Sequence, residues 1–293
     1  MRGEPDEALE DRDWELLLDR IEDRRCTPFL GAGACHGTLP MGSALARSWA
    51  TEHAYPLEDR GDLARVAQFM GVHRGDGMLP KEEMCRLLDG LGQPDFAGEH
   101  EPHAALARLP IPIYLTTNYD NFMVAALERH GKDPQRELCR WNGSPSMRAE
   151  PKVLRQAFVP TPANPIVFHL HGHTGVPESL VLTEDDYVDF LVAISRDWRL
   201  IPHQIQKALA DTSLLFLGYQ LADWNFRVLH RGLVMAGEQA RRRLSVTVQL
   251  RRSDAAQAYL NKYFGSMSVR VYWGTAADFI AELSDRWSAR GGP

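Results

Sequence analysis

Ile111-Pro112-Ile113-Tyr114-Leu115-Thr116-Thr117-Asn118-Tyr119-Asp120 runs from a short apolar stretch straight into hydroxyl, amide and carboxylate side chains. An apolar run of that length, with no polar alternation, reads as a strand buried on both faces, as in a parallel sheet. A helix pattern follows at Asn121–Arg129. The same sequence of events recurs along the chain. Thr27–Leu30 runs into Gly31-Ala32-Gly33-Ala34, Ile166–Leu170 into His171-Gly172, and Ser213–Leu217 into Gly218-Tyr219. Further strands are expected at Ser245–Leu250 and Ser268–Tyr272, the last ending in Trp273-Gly274-Thr275.

Helical patterns lie between these runs. Trp14, Leu17, Leu18 and Ile21 form the i, i+3, i+4, i+7 stripe of a helix over residues 11–23. Thr183 with Asp186 three residues on reads as the N-cap of a helix reaching Ile194. Helices are also expected at Trp198–Leu209, from near Ala222, at Asp254–Phe264 and at Ala276–Trp287. Strands alternating with helices predict an α/β fold, a doubly wound (Rossmann-like) parallel sheet of about six strands. Ligands in such sheets bind beyond the carboxyl ends of the strands. One site can therefore gather all the polar strand ends.

A single domain over residues 1–293 is expected, with its core at about 11–52, 109–130 and 166–289. Residues 53–108 show no convincing strand and read as a helical insertion, with helices around Leu63–Met70 and Lys81–Leu88. Residues 131–165 carry Pro134, Pro145, Pro151, Pro160, Pro162 and Pro165 and read as a loop-rich insertion, because such prolines block long helices and central strands.

The formal net charge of −6 disfavours direct nucleic-acid binding, which needs an excess of Lys and Arg. No apolar run approaches the ~18 residues of a membrane span. The acidic start lacks the pattern of a signal peptide. Cys26, Cys35, Cys85 and Cys139 include no CxxC pair, so no metal is expected and a cytoplasmic location fits best.

Each polar cluster has a plain structural reading beside a functional one. Gly31-Ala32-Gly33 permits a tight strand-to-helix turn and can bring backbone amides to a diphosphate, but His36 occupies the third glycine position of the dinucleotide fingerprint. Asn118 or Asp120 could cap the following helix, yet two threonines, an amide and a carboxylate in five positions exceed what a cap requires. An Asn side chain can hold a ribose hydroxyl or a water. His169, His171 and His173 alternate at a strand end, and a metal site through them lacks an acidic or cysteine ligand at matching spacing. Gly172 opens space beside His171, whose imidazole suits a general base. Asp223 follows the fourth strand and can cap a helix or reach a ligand.

In this order the motifs resemble the sirtuin superfamily. Gly31–Ala34 is similar to the family's GAG-x loop, Thr116–Asp120 to its TQN-x-D motif with Thr117 in place of Gln, and His171-Gly172 to its catalytic HG pair. Gly218-Tyr219 stands where the family has GTS, and Gly274-Thr275-Ala276 resembles its adenine-side loop. Between Asn118 and His171 there is only Cys139, so the four-cysteine zinc ribbon is absent, and Cys35 replaces a serine. With these departures the chain is most similar to bacterial sirtuin-like NAD-hydrolysing effectors of antiphage defence.

The resemblance implies an NAD+ hydrolase releasing nicotinamide and ADP-ribose, with NAD as substrate and no metal. It implies a homo-oligomer and/or a separate sensor or regulatory protein as partner. Its catalytic residues would be Asn118, Asp120 and His171. Gly31, Ala32, Gly33, Ala34, Thr116, Thr117, Gly218, Tyr219, Asp223, Gly274 and Thr275 would bind NAD. Two rivals stand beside it. An NAD-dependent protein deacylase is disfavoured by the missing zinc ribbon. A non-catalytic NAD-binding or assembly module is disfavoured by the joint presence of Asn118 and His171.

Overall fold

The structure, a computed structural model, describes residues 9–149, 154, 157–219 and 244–291. Its centre is a seven-stranded sheet. The strands are β1 (Cys26–Leu30), β2 (Ile113–Thr116), β3 (Gln135–Leu138), β4 (Ile166–His169), β5 (Ser213–Leu217), β6 (Ser245–Gln249) and β7 (Val269–Trp273). All neighbours pair in parallel, in the order β3-β4-β2-β1-β5-β6-β7. The chain winds from β1 towards one edge, then returns to β5 on the other side of β1. The topological switch point thus falls between β1 and β5, where open α/β sheets bind ligands.

Residues alternate between the two faces of the central strands. Leu30, Tyr114, Val167, Leu215 and Leu217 pack on one side with Trp14, Leu106, Leu127, Phe279 and Leu283. Phe29, Leu115, Phe168, Leu214 and Phe216 pack on the other with Phe190, Ile205, Leu260 and Phe264. The first helix, Asp11–Glu22, buries the expected stripe and stacks Trp14 on Phe279 at 5.1 Å.

The described residues hold one strand more than the expected six. The addition is β3, inside the segment read as loop-rich, so that segment is corrected: it supplies an edge of the sheet and a short helix, Pro145–Ala149. Gln135-Arg136-Glu137-Leu138 carries three long polar side chains and follows Pro134, which hides a strand signal. An edge position tolerates both features. The helix expected at Trp198–Leu209 is also divided. A 3-10 turn, Trp198–Leu200, precedes a helix, His203–Asp211, because Pro202 at the join cannot continue a helix through it. The helix after Thr183 spans Glu184–Arg196 and begins with a reciprocal capping box between Thr183 and Asp186. The helix expected near Ala222 lies outside the described residues.

Residues 53–108 contain helices Leu63–Arg74, Leu79–Gly90 and Pro102–Arg108 and no strand. The first two join helix Gly42–Glu52 around a small core of their own: Leu45, Trp49, Tyr55, Val66, Met70 and Met84, closed by Leu180 and Leu182. This lobe is pinned to helix Glu184–Arg196 by a partly buried ion pair, Lys81 Nζ to Asp186 Oδ1 at 2.7 Å. More exposed contacts, Arg65 with Glu184 and Gln68 with Asp185, support it. The pinning matters because the lobe forms a wall of the site.

Candidate active site

Sheet register brings the polar strand ends to one level. Leu30 pairs with Thr116 and with Leu217, and Thr116 pairs with His169. The four segments that follow β1, β2, β4 and β5 therefore leave the sheet side by side. They border a cavity of ≈ 720 Å³, within the ordinary range for a small-molecule site. From the sheet side it is lined by Ala32, Thr117, Asn118, Asp120, His171, Gly218 and Tyr219. The helical lobe faces them with Leu63, Met84, Leu87 and Leu88, among others.

Gly31 and Gly33 are there because of Gly218. A Cβ on Gly31 would stand 2.9 Å from the Gly218 carbonyl oxygen, and one on Gly33 2.8 Å from the Gly218 Cα. Gly218 itself has φ +79°. The amides of the loop are largely committed: Gly31 N–H donates to Leu217 O (2.8 Å), Gly33 N–H to Gly218 O (2.9 Å) and Ala34 N–H to Gly31 O (2.9 Å). The loop thus locks β1 to β5, and of its four residues Ala32 lines the cavity.

Thr116 is buried and acts on its neighbours: its hydroxyl donates to Leu30 O and accepts from the Asn118 amide at 2.9 Å. The Asn118 side-chain amide donates to Gly31 O (3.1 Å) and towards Cys35 Sγ (3.2 Å). With both its hydrogens so used, the carbonyl Oδ1 is the group it has for a ligand. The Tyr219 hydroxyl donates to Leu30 O (2.9 Å), so the Thr117 hydroxyl, 2.8 Å away, donates to it. The N-cap of the following helix is Asn121 rather than Asn118 or Asp120, and Asp120 stands one residue ahead of it. Asp120 Oδ1 accepts from Phe122 N–H, and its Oδ2 lies 3.4 Å from the Cys35 thiol at the cavity.

The three histidines do not converge. His169 and His173 rings lie 5.4 Å apart, whereas His171 is set edge-on against Tyr187 (5.4 Å) and Phe190 (5.1 Å). Burial holds the His171 imidazole down to about 3, so the ring is neutral near pH 7. Among the described residues its Nε2 has no hydrogen-bond partner. Gly172 serves a different neighbour than expected: with φ +82°, a Cβ there would lie 2.3 Å from Ser179, so the glycine makes room for the 177–179 turn.

A SIR2-like domain model matches residues 112–272, more than half of the chain and the strands from β2 to β7 save the last residue of β7. The chain belongs to the SIR2-like family. Its relatives include the NAD(+) hydrolase ThsA of Acinetobacter baumannii (strain 532279), 24% identical over 308 residues, covering 94% of this chain and 57% of that protein. The NAD(+) hydrolase ThsA of Bacillus cereus (strain MSX-D12) is 29% identical over 241 residues, covering 81% and 46%. That of Enterococcus faecium is 27% identical over 224 residues, covering 73% and 41%. The chain thus spans about half the length of the curated relatives it matches.

Within this SIR2-like fold, the expected residues divide. Asn118, Asp120 and His171 meet at the cavity with Ala32, Thr117, Gly218 and Tyr219. Gly31, Gly33, Ala34 and Thr116 hold the loops behind them. Gly274 and Thr275 do not line the cavity; Thr275 caps helix Ala276–Ala289 in a second capping box with Asp278. Asp223 lies outside the described residues. Sequence reasoning noted Cys35 only as a replaced serine and passed over Tyr187 and the lobe residues. Cys35 is one position beyond the glycine loop, but nothing in the pattern of Tyr187 or Met84 marks them as cavity-facing rather than core.

Proposed function

We propose that this chain is an NAD+ hydrolase domain that cuts the bond between nicotinamide and ribose. The observation that carries the reading is a buried, neutral His171 on the same cavity as Asn118 and Asp120. The names of the relatives agree with it. Water attacks the anomeric carbon, and nicotinamide leaves with the bonding electron pair, which neutralises its ring nitrogen. The water's proton passes to His171. That transfer comes late, once the new C–O bond has made the proton strongly acidic, so a weak but neutral base suffices. Asn118 Oδ1 orders a ribose hydroxyl or the water. The Asp120 carboxylate favours the developing oxocarbenium charge. Ala32, Thr117, Gly218 and Tyr219 border the rest of the nucleotide, and the lobe excludes bulk water.

We extend the proposal to NAD depletion in cytoplasmic antiphage defence, under control of further copies of the chain or a separate regulatory protein. The likeness to defence NADases supports this, as do four free cysteines suited to a reducing compartment. Among the described residues, no helix is long and apolar enough to cross a membrane. The test is chromatography of NAD incubated with the protein, alone and with an acetylated peptide. Nicotinamide and ADP-ribose in both samples support hydrolysis, whereas O-acetyl-ADP-ribose with the peptide would assign a deacylase.

A further inference from the structure

Beside the cavity, four groups come together from three segments: the 3-10 turn Ala32–Cys35, the start of helix Pro102–Arg108 and the stretch after β2. Cys35 Sγ lies 3.4 Å from Asp120 Oδ2 and 3.9 Å from His103 Nε2, and all three donor atoms lie within 4.8 Å of one another. Behind them, His103 Nδ1 lies 2.6 Å from Glu101 Oε1. Cys35 and His103 are buried, and Cys35 and Asp120 border the cavity.

We propose that Cys35, His103 and Asp120 form a three-ligand site for a soft divalent cation of the zinc class, with Glu101 as the outer carboxylate that orients His103. Tetrahedral zinc, with bonds of about 2.3 Å to sulfur and 2.0–2.1 Å to nitrogen or oxygen, sets its sulfur and nitrogen or oxygen ligands about 3.5 Å apart. The two sulfur distances, 3.4 and 3.9 Å, bracket that value. A metal-bound histidine characteristically gives its other ring N–H to a carboxylate, and Glu101 is placed to take it. The Glu101 contact also fixes the tautomer, leaving the Nε2 lone pair towards Cys35.

Metal binding here must work against the resting protonation of the thiol. Burial, and then the Asp120 charge, push the Cys35 thiol well above its ordinary range. A cation reverses that balance: the thiol gives up its proton to solvent and the thiolate becomes a ligand. No spacing motif announces such a site, because its donors stand at positions 35, 103 and 120.

The fourth coordination position opens to the cavity, where a water completes the set. This is not a catalytic cofactor. It engages Asp120 and the sulfur beside Asn118, so on the proposed NAD-hydrolysing reading the bound cation and the nucleotide compete. That consequence rests on the proposed function; the test of the site does not.

The experiment adds cobalt(II), a spectroscopic substitute for zinc, to the reduced full chain and follows the sulfur-to-cobalt charge-transfer absorption. Zinc is then added as competitor. The site predicts a band that zinc abolishes, that is lost in Cys35→Ser and His103→Gln, and that needs about 10–100-fold more cobalt in Glu101→Gln. Circular dichroism of each variant confirms its fold, and Cys35→Ser, nearly isosteric, decides if His103→Gln unfolds. Absence of the band in the folded wild type, or its persistence in Cys35→Ser, would overturn the assignment. Neither outcome depends on NAD turnover.

Discussion

Mild acid should weaken this fold through three histidines. His169 and His171 are held down to about 3 and His173 to about 4. Burial is the largest cause for each; for His169 the charge of His173 adds to it, and for His173 that of Arg136. An unfolded histidine takes its proton near 6.5. Between those values the unfolded chain binds more protons than the folded one, so stability rises with pH there. The contribution is complete above about 6.5 and is lost as pH falls towards 4 and then 3. At about pH 5.5, one unit below the unfolded value, each histidine costs about 1.4 kcal/mol, and the three together about 4 kcal/mol. Against a typical total of about 5–15 kcal/mol, that is a large fraction.

Urea unfolding followed by tryptophan fluorescence at about pH 7.5 and 5.5 measures it directly. Most carboxylates stay ionised across that window, which isolates the histidines. His173→Gln should remove about 1.4 kcal/mol of the pH dependence. A loss below about 1 kcal/mol in the wild type would mean that the histidines titrate freely in the folded state, and the buried, neutral His171 would go with it.

Four substitutions and one profile extend the test. Gly218→Ala places a Cβ 2.3 Å from Ala34 N in a left-handed backbone, so it should lower stability by well over the ~1–3 kcal/mol of backbone strain alone and abolish NAD binding. Thermal melting and calorimetric titration report both. Lys81→Ala leaves the partly buried Asp186 carboxylate with its two backbone N–H donors but without its cation and should cost about 1.5–3 kcal/mol, measured by chemical unfolding. Thr275→Ala should cost about 1 kcal/mol as a lost helix cap and leave the KM for NAD unchanged; a raised KM would return Thr275 to the nucleotide site. Asn118→Ala should cut nicotinamide release by at least ~100-fold while the melting temperature holds. The acid limb of kcat/KM due to His171 should lie near or below pH 4, since activity falls only as pH drops through its depressed value.

Much of the architecture was legible because buried parallel strands have a blunt signature. Ser213–Leu217 reads as five consecutive residues without charge, and the structure gives it the same bounds. Thr183 with Asp186 fixed a helix start because a capping box is chemically local. β3 was not legible, since an edge strand can carry Gln135, Arg136 and Glu137 and owes its place to pairing with β4 rather than to its own pattern. The site divides along the same line. Asn118, Asp120 and His171 follow strand ends, and parallel register alone gathers strand ends. The lobe wall, Tyr187 and the His103–Cys35 contact depend on helix packing over long separations, for which neither spacing nor periodicity gives a sign. The glycine loop shows the limit of motif reading: Gly31 and Gly33 read as a phosphate cradle, yet their shape answers the close approach of Gly218.

The most direct test of the account pairs two assays on the purified protein and its His171→Ala variant: NAD binding by calorimetry and nicotinamide release by chromatography. Both proteins should bind NAD, and the variant should release nicotinamide about 10²–10⁴-fold more slowly. Wild-type release by the variant would contradict the account.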